Sequence, residues 1–509
     1  MSAGITVRGG AHGLAVCLEE LEGAARVLGS VERDLEETSL VLGAVASDPA
    51  LALAGIIAPV ESAQAEGAAL MCAAVAVGLV ARVGATAAVT SAGVDAYRSG
   101  ERTAESLFDT AATSVGAMFG VIAPPVAAGV AGAVIGAAAV GLALGSSVDG
   151  VIPLERQLAW ARSAALALAL GLGQGMDEVL RDHPWLVTGG ADGLDGILVG
   201  LGVGTPLLGV LMAERARRAG WRYPPRTHAE ALDVVLALTR GVALDESRHD
   251  VRVRALEPQR GRAPSSVADL VSPTGPTDGD GRVRLVGVHH DDGSWTWVVR
   301  VPGTQTFTPR AGANPWDLTS DVLTSAGEQT LAMQAVSRAL TDAQTRTGSR
   351  GRSRVLLTGH SLGGITVAAL AADPDFRRRF AVTHVVTAGA PIARVAVPQD
   401  VSVLSLEHSE DLVPNLDGED NPDRASWVTV EREVADALGP EGGASDAHAV
   451  DRYAQTAGLV DDSRDPSLVV WREGAAEFLD DEGREAVVID YDIERVPSSE
   501  RRTVAGSHP

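Results

Sequence analysis

Ser361 has the neighbours a nucleophile needs. It lies in Gly359-His360-Ser361-Leu362-Gly363, after the apolar run Val355-Leu356-Leu357 and before an Ala/Leu/Val-rich run that stops at Asp373-Pro374, which predicts strand, sharp turn and helix. A serine at the tip of such a turn is held in strained backbone, and glycines on either side remove side chains that would collide with strand and helix. Its hydroxyl then stands clear of the chain. The first N–H of the following helix, that of Leu362, points at the same space with the positive end of the helix dipole behind it, and can stabilise an oxyanion.

A serine hydroxyl is a poor nucleophile near neutral pH. It needs an imidazole to take its proton and a carboxylate to fix the tautomer of that imidazole. On a strand–turn–helix elbow the expected chain order is Ser, acid, His. The histidines after Ser361 are His384, His408, His448 and His508. His384 precedes an apolar strand, His408 comes before the expected acid and His508 lies in a polar tail, so order selects His448. The acid is Asp411, directly after the strand predicted over Val401 to Leu406, with Asp417 as runner-up. The end of another predicted strand, Val301-Pro302-Gly303-Thr304, is where a second oxyanion donor would come from, and Thr304 is the candidate. None of this chemistry calls for a metal or cofactor.

The elements needed to position these groups are legible around them. Val283 to His290 and Trp295 to Val301 flank the turn Asp291-Asp292-Gly293-Ser294 and predict a hairpin. Glu328 to Thr345 predicts an amphipathic helix, and Val382 to Thr387 a further strand. Strands and helices alternating in this way predict an α/β fold with a mostly parallel sheet and flanking helices over residues 219–495, followed by a disordered tail at 496–509.

Residues 1–218 are different in kind. Residues 11–112 predict an Ala-rich helical hairpin broken near Ser47-Asp48-Pro49, with Leu14, Leu18, Leu21, Ala25, Leu28 and Val31 at three- and four-residue steps. Two further segments, 119–147 and 196–213, carry no charged residue and consist mainly of Ala, Gly, Val, Ile and Leu, and the first is long enough to span a bilayer. Their Ala and Gly content gains little from hydrocarbon, so membrane association and a buried helical bundle are both open. The N-terminus lacks the basic and apolar segments of a secretory signal. The expected location is therefore membrane-associated or exported without a conventional signal, with the cytoplasm as alternative.

Composition excludes some partners. The chain has 509 residues, a net charge of −24 and no lysine, and this field repels the phosphates of nucleic acid. Cys17 and Cys72 lack metal-ligand spacing and are expected as buried small hydrophobes rather than as a disulfide or metal pair.

Gly303-Thr304, the GHSLGG run at 359–364, Thr387-Ala388-Gly389-Ala390-Pro391, Asp411-Leu412-Val413-Pro414 and His448 followed by Tyr453 together resemble the class 3 (fungal-type) lipases, over about residues 250–460. The resemblance implies an α/β-hydrolase fold with Ser361 as nucleophile, Asp411 as acid, His448 as base, and Thr304 and Leu362 forming the oxyanion hole. The implied substrate is a small-molecule or lipid ester. The N-terminal hairpin loosely resembles the WXG-type modules of type VII secretion substrates. Two functions follow: a lipase- or esterase-like serine hydrolase, or a secreted or membrane-anchored interaction protein whose hydrolase half is vestigial.

Overall fold

The computed structural model describes residues 4–122 and 206–498, except residues 12, 51–52, 54–57, 240, 242, 273–281, 309, 350–351, 439–442 and 480–483. The chain divides into two compact units, His12–Leu107 and the remainder.

The first unit is a pair of long helices, α1 (Leu14–Ala46) and α2 (Pro59–Ile122), the latter running on beyond this unit. They lie antiparallel, since Arg98 pairs with Glu22 while Gly84 lies against Glu32. Ala25, Ala76 and Val94 are buried. Cys17 and Cys72 are both exposed, contrary to the expectation of burial: each falls on the outer surface of a two-helix unit that has room inside for only a narrow seam. Among the described residues one helical stretch, Glu61–Asp95, is long and apolar enough to cross a membrane. The segments predicted at 119–147 and 196–213 fall mostly outside the described residues; only 119–122 and 206–213 are described, in α2 and in α3 (Pro206–Ala219).

Among the described residues the second unit is a ten-stranded mixed sheet flanked by helices. Its strands are β1 (Thr6–Gly9), β2 (His249–Ala255), β3 (Gln259–Arg262), β4 (Arg282–His289), β5 (Trp295–Val301), β6 (Arg354–His360), β7 (Ala381–Ala388), β8 (Ser402–His408), β9 (Trp427–Arg432) and β10 (Glu485–Pro497). The order is β1-β9-β8-β7-β6-β5-β4-β10-β2, with β3 also on β10. Neighbours from β5 to β9 are parallel, and the β4–β5 hairpin turns where the Asp-Asp-Gly-Ser signal predicts. Strands at the centre of a covered parallel sheet are apolar on both faces, and Val355, Leu356 and Leu357 of β6 are fully buried accordingly.

Two placements differ from the expectation of a purely helical N-terminal half and a disordered tail from residue 496. Thr6–Gly9 is a strand that pairs antiparallel with β9 and completes the sheet edge. β10 continues to Pro497, because Val496 and Pro497 oppose Asp250 and His249 of β2. Both are strand pairings across long sequence separations, which local patterning does not encode.

Four helices matter to the site. α4 (Leu318–Ser325) is capped by Asp317, whose carboxylate accepts from the N–H of Ser320. α5 (Leu331–Thr347) is capped by the Thr330 hydroxyl and ends at Gly348 in the left-handed conformation. α6 (Leu362–Ala372) follows Ser361 directly, and α7 (Val450–Asp462) follows the His448 loop. Because β5, β6, β7 and β8 are parallel, their C-terminal ends all open on one edge of the sheet, which is where an α/β fold keeps its working residues.

Candidate active site

The turn from β6 into α6 holds Ser361 at φ 55 and ψ −126, a conformation that side chains rarely adopt and that aims the serine away from both elements. The glycines around it leave no alternative. A Cβ on Gly359 would run into the backbone of Gly363, and one on Gly363 into the carbonyl of Val301. The Ser361 N–H donates to Ala388 O at 3.0 Å, which ties the elbow to β7. Leu362 is the first residue of α6, so its N–H has no partner within the helix.

The residues expected as acid and base meet from opposite directions. Asp411 lies three residues past β8 and is fully buried; its Oδ2 accepts from His448 Nδ1 at 2.7 Å. That bond places the proton on Nδ1 and leaves Nε2 with a lone pair. Asp411 Oδ2 also accepts from the Tyr453 hydroxyl at 2.6 Å, and Oδ1 from the N–H of Val413 at 2.9 Å. These three donors satisfy the hydrogen-bonding capacity of a carboxylate that has no access to water. Tyr453 is fully buried, and burial followed by the charge of Asp411 pushes its hydroxyl well above the ordinary tyrosine value. It stays a donor.

Asp417, the runner-up acid, is engaged elsewhere. It accepts from the N–H of Ala393 at 2.8 Å, and burial raises its carboxyl to about 6.

Gly389 is the residue that lets the pair form. At φ +58, a Cβ here would lie 2.8 Å from Tyr453, 2.9 Å from Asp411 Oδ2 and 3.0 Å from His448 Nδ1. Only glycine satisfies both the backbone and the space.

On the other side of the elbow, Gly303 approaches closely enough that its Cβ would be 3.3 Å from Ser361 Cβ. Thr304 follows it, and its hydroxyl donates to Asp321 Oδ2 of α4 at 3.0 Å. Burial raises the Asp321 carboxyl to about 7, the Thr304 bond opposing and the charge of Asp317 adding to it. Leu270, Arg300, Pro302, Thr304, His360 and Val450 line a cavity of about 150 Å³ beside this strand end.

The structure thus brings Asp411 and His448 into contact and sets Gly303-Thr304 and Leu362 on either side of Ser361; among the described residues no hydrogen bond joins Ser361 to His448. Gly389 and Asp321 lie at the site without having been assigned to it from the sequence, although Gly389 left a signal as the glycine of a Thr-Ala-Gly-Ala-Pro strand end. His360 was expected only as a residue of the serine elbow, and His408 was weighed as the base and set aside for its place in the chain order.

Residues 322–477 match a family model described as the PGAP1-like alpha/beta domain. The match takes in Ser361, Asp411 and His448, covers less than half of the chain, and makes this region similar to a hydrolase-like family. No curated protein and no solved structure matches the chain.

Proposed function

We propose that this hydrolase-like domain is a serine ester hydrolase of the lipase/esterase class. Ser361 Oγ attacks the acyl carbon of an ester as His448 Nε2 takes its proton; the alcohol leaves with that proton, and a water activated by the same imidazole releases the acid from the acyl-enzyme. The backbone N–H groups of Thr304 and Leu362 are assigned to the oxyanion, and Asp411 to the tautomer and charge of His448. The observation that carries the reading is the 2.7 Å contact between the buried Asp411 and His448, in a unit that also holds a serine elbow at φ 55. The class 3 lipase resemblance of the same segments favours an ester, either of a small molecule or of a lipid, over other acyl substrates.

The test is labelling by a fluorophosphonate, which reacts with activated serines. Labelling of the wild-type chain that disappears in Ser361→Ala is expected. Equal labelling of both sinks the assignment of the nucleophile, and no labelling of either favours a vestigial hydrolase half serving an interaction protein.

Membrane association is a second reading, and one observation favours it: only 6% of the apolar window in Glu61–Asp95 is buried. Fractionation decides it. The full chain should remain with membranes after a carbonate wash, and quantitative recovery in the soluble fraction overturns the reading.

A further inference from the structure

We propose that His360 and His408 are a pair of positioning residues that clamp the loop bearing His448, each by giving one N–H to a backbone carbonyl of that loop. The proposal rests on the reading of His448 as the general base.

His360 Nε2 lies 2.8 Å from the carbonyl oxygen of His448 itself, and His408 Nδ1 lies 2.8 Å from that of Ala447. A carbonyl oxygen carries no proton, so the ring nitrogen facing it must donate. Both tautomers are thereby fixed. The two carbonyls are consecutive and close a short helix, Ala444–Ala447, whose last carbonyls have no partner within the helix. The histidines supply the donors that the helix end lacks.

The origin of each histidine gives the clamp its meaning. His360 is the last residue of β6 and precedes Ser361; His408 is the last residue of β8 and lies three before Asp411. The base is therefore tied once to the strand that presents the nucleophile and once to the strand that presents the acid. The ring of His408 stacks on Tyr453, with centroids 3.9 Å apart and planes 6° apart, and its Nε2 lies 2.8 Å from the Thr456 hydroxyl. The ring of His360 lies 4.5 Å from that of His448. Burial lowers the basicity of both, that of His360 to about 3, which favours the neutral ring with a single N–H to give. A misplacement of about 1 Å in a catalytic group can lower turnover by about 10²-fold.

Four variants of the full chain test this. His360→Leu and His408→Leu remove the donors. His360→Gln and His408→Asn keep one, since the glutamine amide nitrogen reaches roughly where imidazole Nε2 sits, and the asparagine nitrogen where Nδ1 sits. Turnover of a soluble ester is measured per active site titrated with fluorophosphonate. Each leucine variant should lose about 10- to 100-fold in kcat with KM changed less than about threefold, and its amide counterpart should recover most of that loss. The His448 ring nitrogens, followed by NMR, should move in the leucine variants and return in the amide variants. Leucine variants with wild-type kcat per titrated site overturn the proposal, as do amide variants no better than leucine. If the wild-type chain neither labels nor turns over, it is the hydrolase reading that fails. The ring resonances then decide the clamp alone, and unchanged resonances in both leucine variants overturn it.

Discussion

The two units of this chain spend apolar side chains in opposite ways. Around the sheet, Trp297, Trp316, Leu357 and Tyr453 are fully buried, and side chains from β6, β7 and the helices interlock on both faces. Along α1 and α2 the buried apolar positions are mainly alanine, while Leu40, Met71 and Val89 are each more than 70% exposed. A densely packed interior resists displacement, so backbone held there can keep a strained serine or a glycine with no room beside it. A two-helix seam has no such surroundings, and substitutions on it are absorbed. Positional precision is concentrated in the sheet unit, and that is where the candidate chemistry lies.

The sharpest way to break this comparison is Ser361→Ala. The side chain is small and the surrounding packing is unchanged by its loss, so ester hydrolysis should fall at least about 10³-fold while thermal unfolding stays as in the wild type. Activity within tenfold of wild type would remove the sheet unit's claim to the chemistry.

Next in size is one substitution made in both units. Gly389→Ala must place a methyl group against Tyr453, Asp411 and His448 at positive φ, and should cost about 2–4 kcal/mol of stability together with roughly 100-fold in turnover. Gly78→Ala lies within α2 with nothing within 4 Å of the new methyl, and should instead stabilise the helix by up to about 1 kcal/mol. Denaturant titration of both variants reads the difference; effects of the same sign would contradict the contrast in packing.

A smaller effect is expected at Glu407, beside the acid-bearing strand end. Burial raises its carboxyl to about 7, against an unfolded value of about 4.3. Between those values the folded chain holds a proton that the unfolded chain has released, so this group lowers stability as pH rises through that window. Glu407→Gln, which keeps an oxygen for the Asn421 amide, should gain stability over wild type as pH rises from 4.5 to 7 and no further above it. A difference independent of pH would show that the carboxyl does not titrate there.

The smallest effect belongs to the helical unit. Cys17 and Cys72 are exposed, so a thiol reagent should modify both in the folded chain with ester hydrolysis unaltered. Unreactive thiols would mean that this surface is covered.

Much of this was legible in the sequence because it is local. The glycines flanking Ser361, the apolar run before it and the helix after it are neighbours in the chain, and sterics within one turn dictate their geometry. The β4–β5 hairpin, the break between α1 and α2 and the amphipathic helix α5 are of the same kind. His448 was selected by order along the chain, a weaker argument, and only the folded sheet shows Asp411 beside it. What the tertiary structure alone decided are contacts whose partners lie far apart in sequence. β1 reaches β9 across more than 400 residues, and no pattern in Thr6–Gly9 announces it. Gly389 needs its missing side chain because three other segments converge on it, and His360 and His408 acquire roles only when the loop at Ala447 and His448 arrives between them. Residue type and spacing determine what a segment can form on its own; which segments meet is set by burial of the whole sheet, and a sequence read locally does not contain that sum.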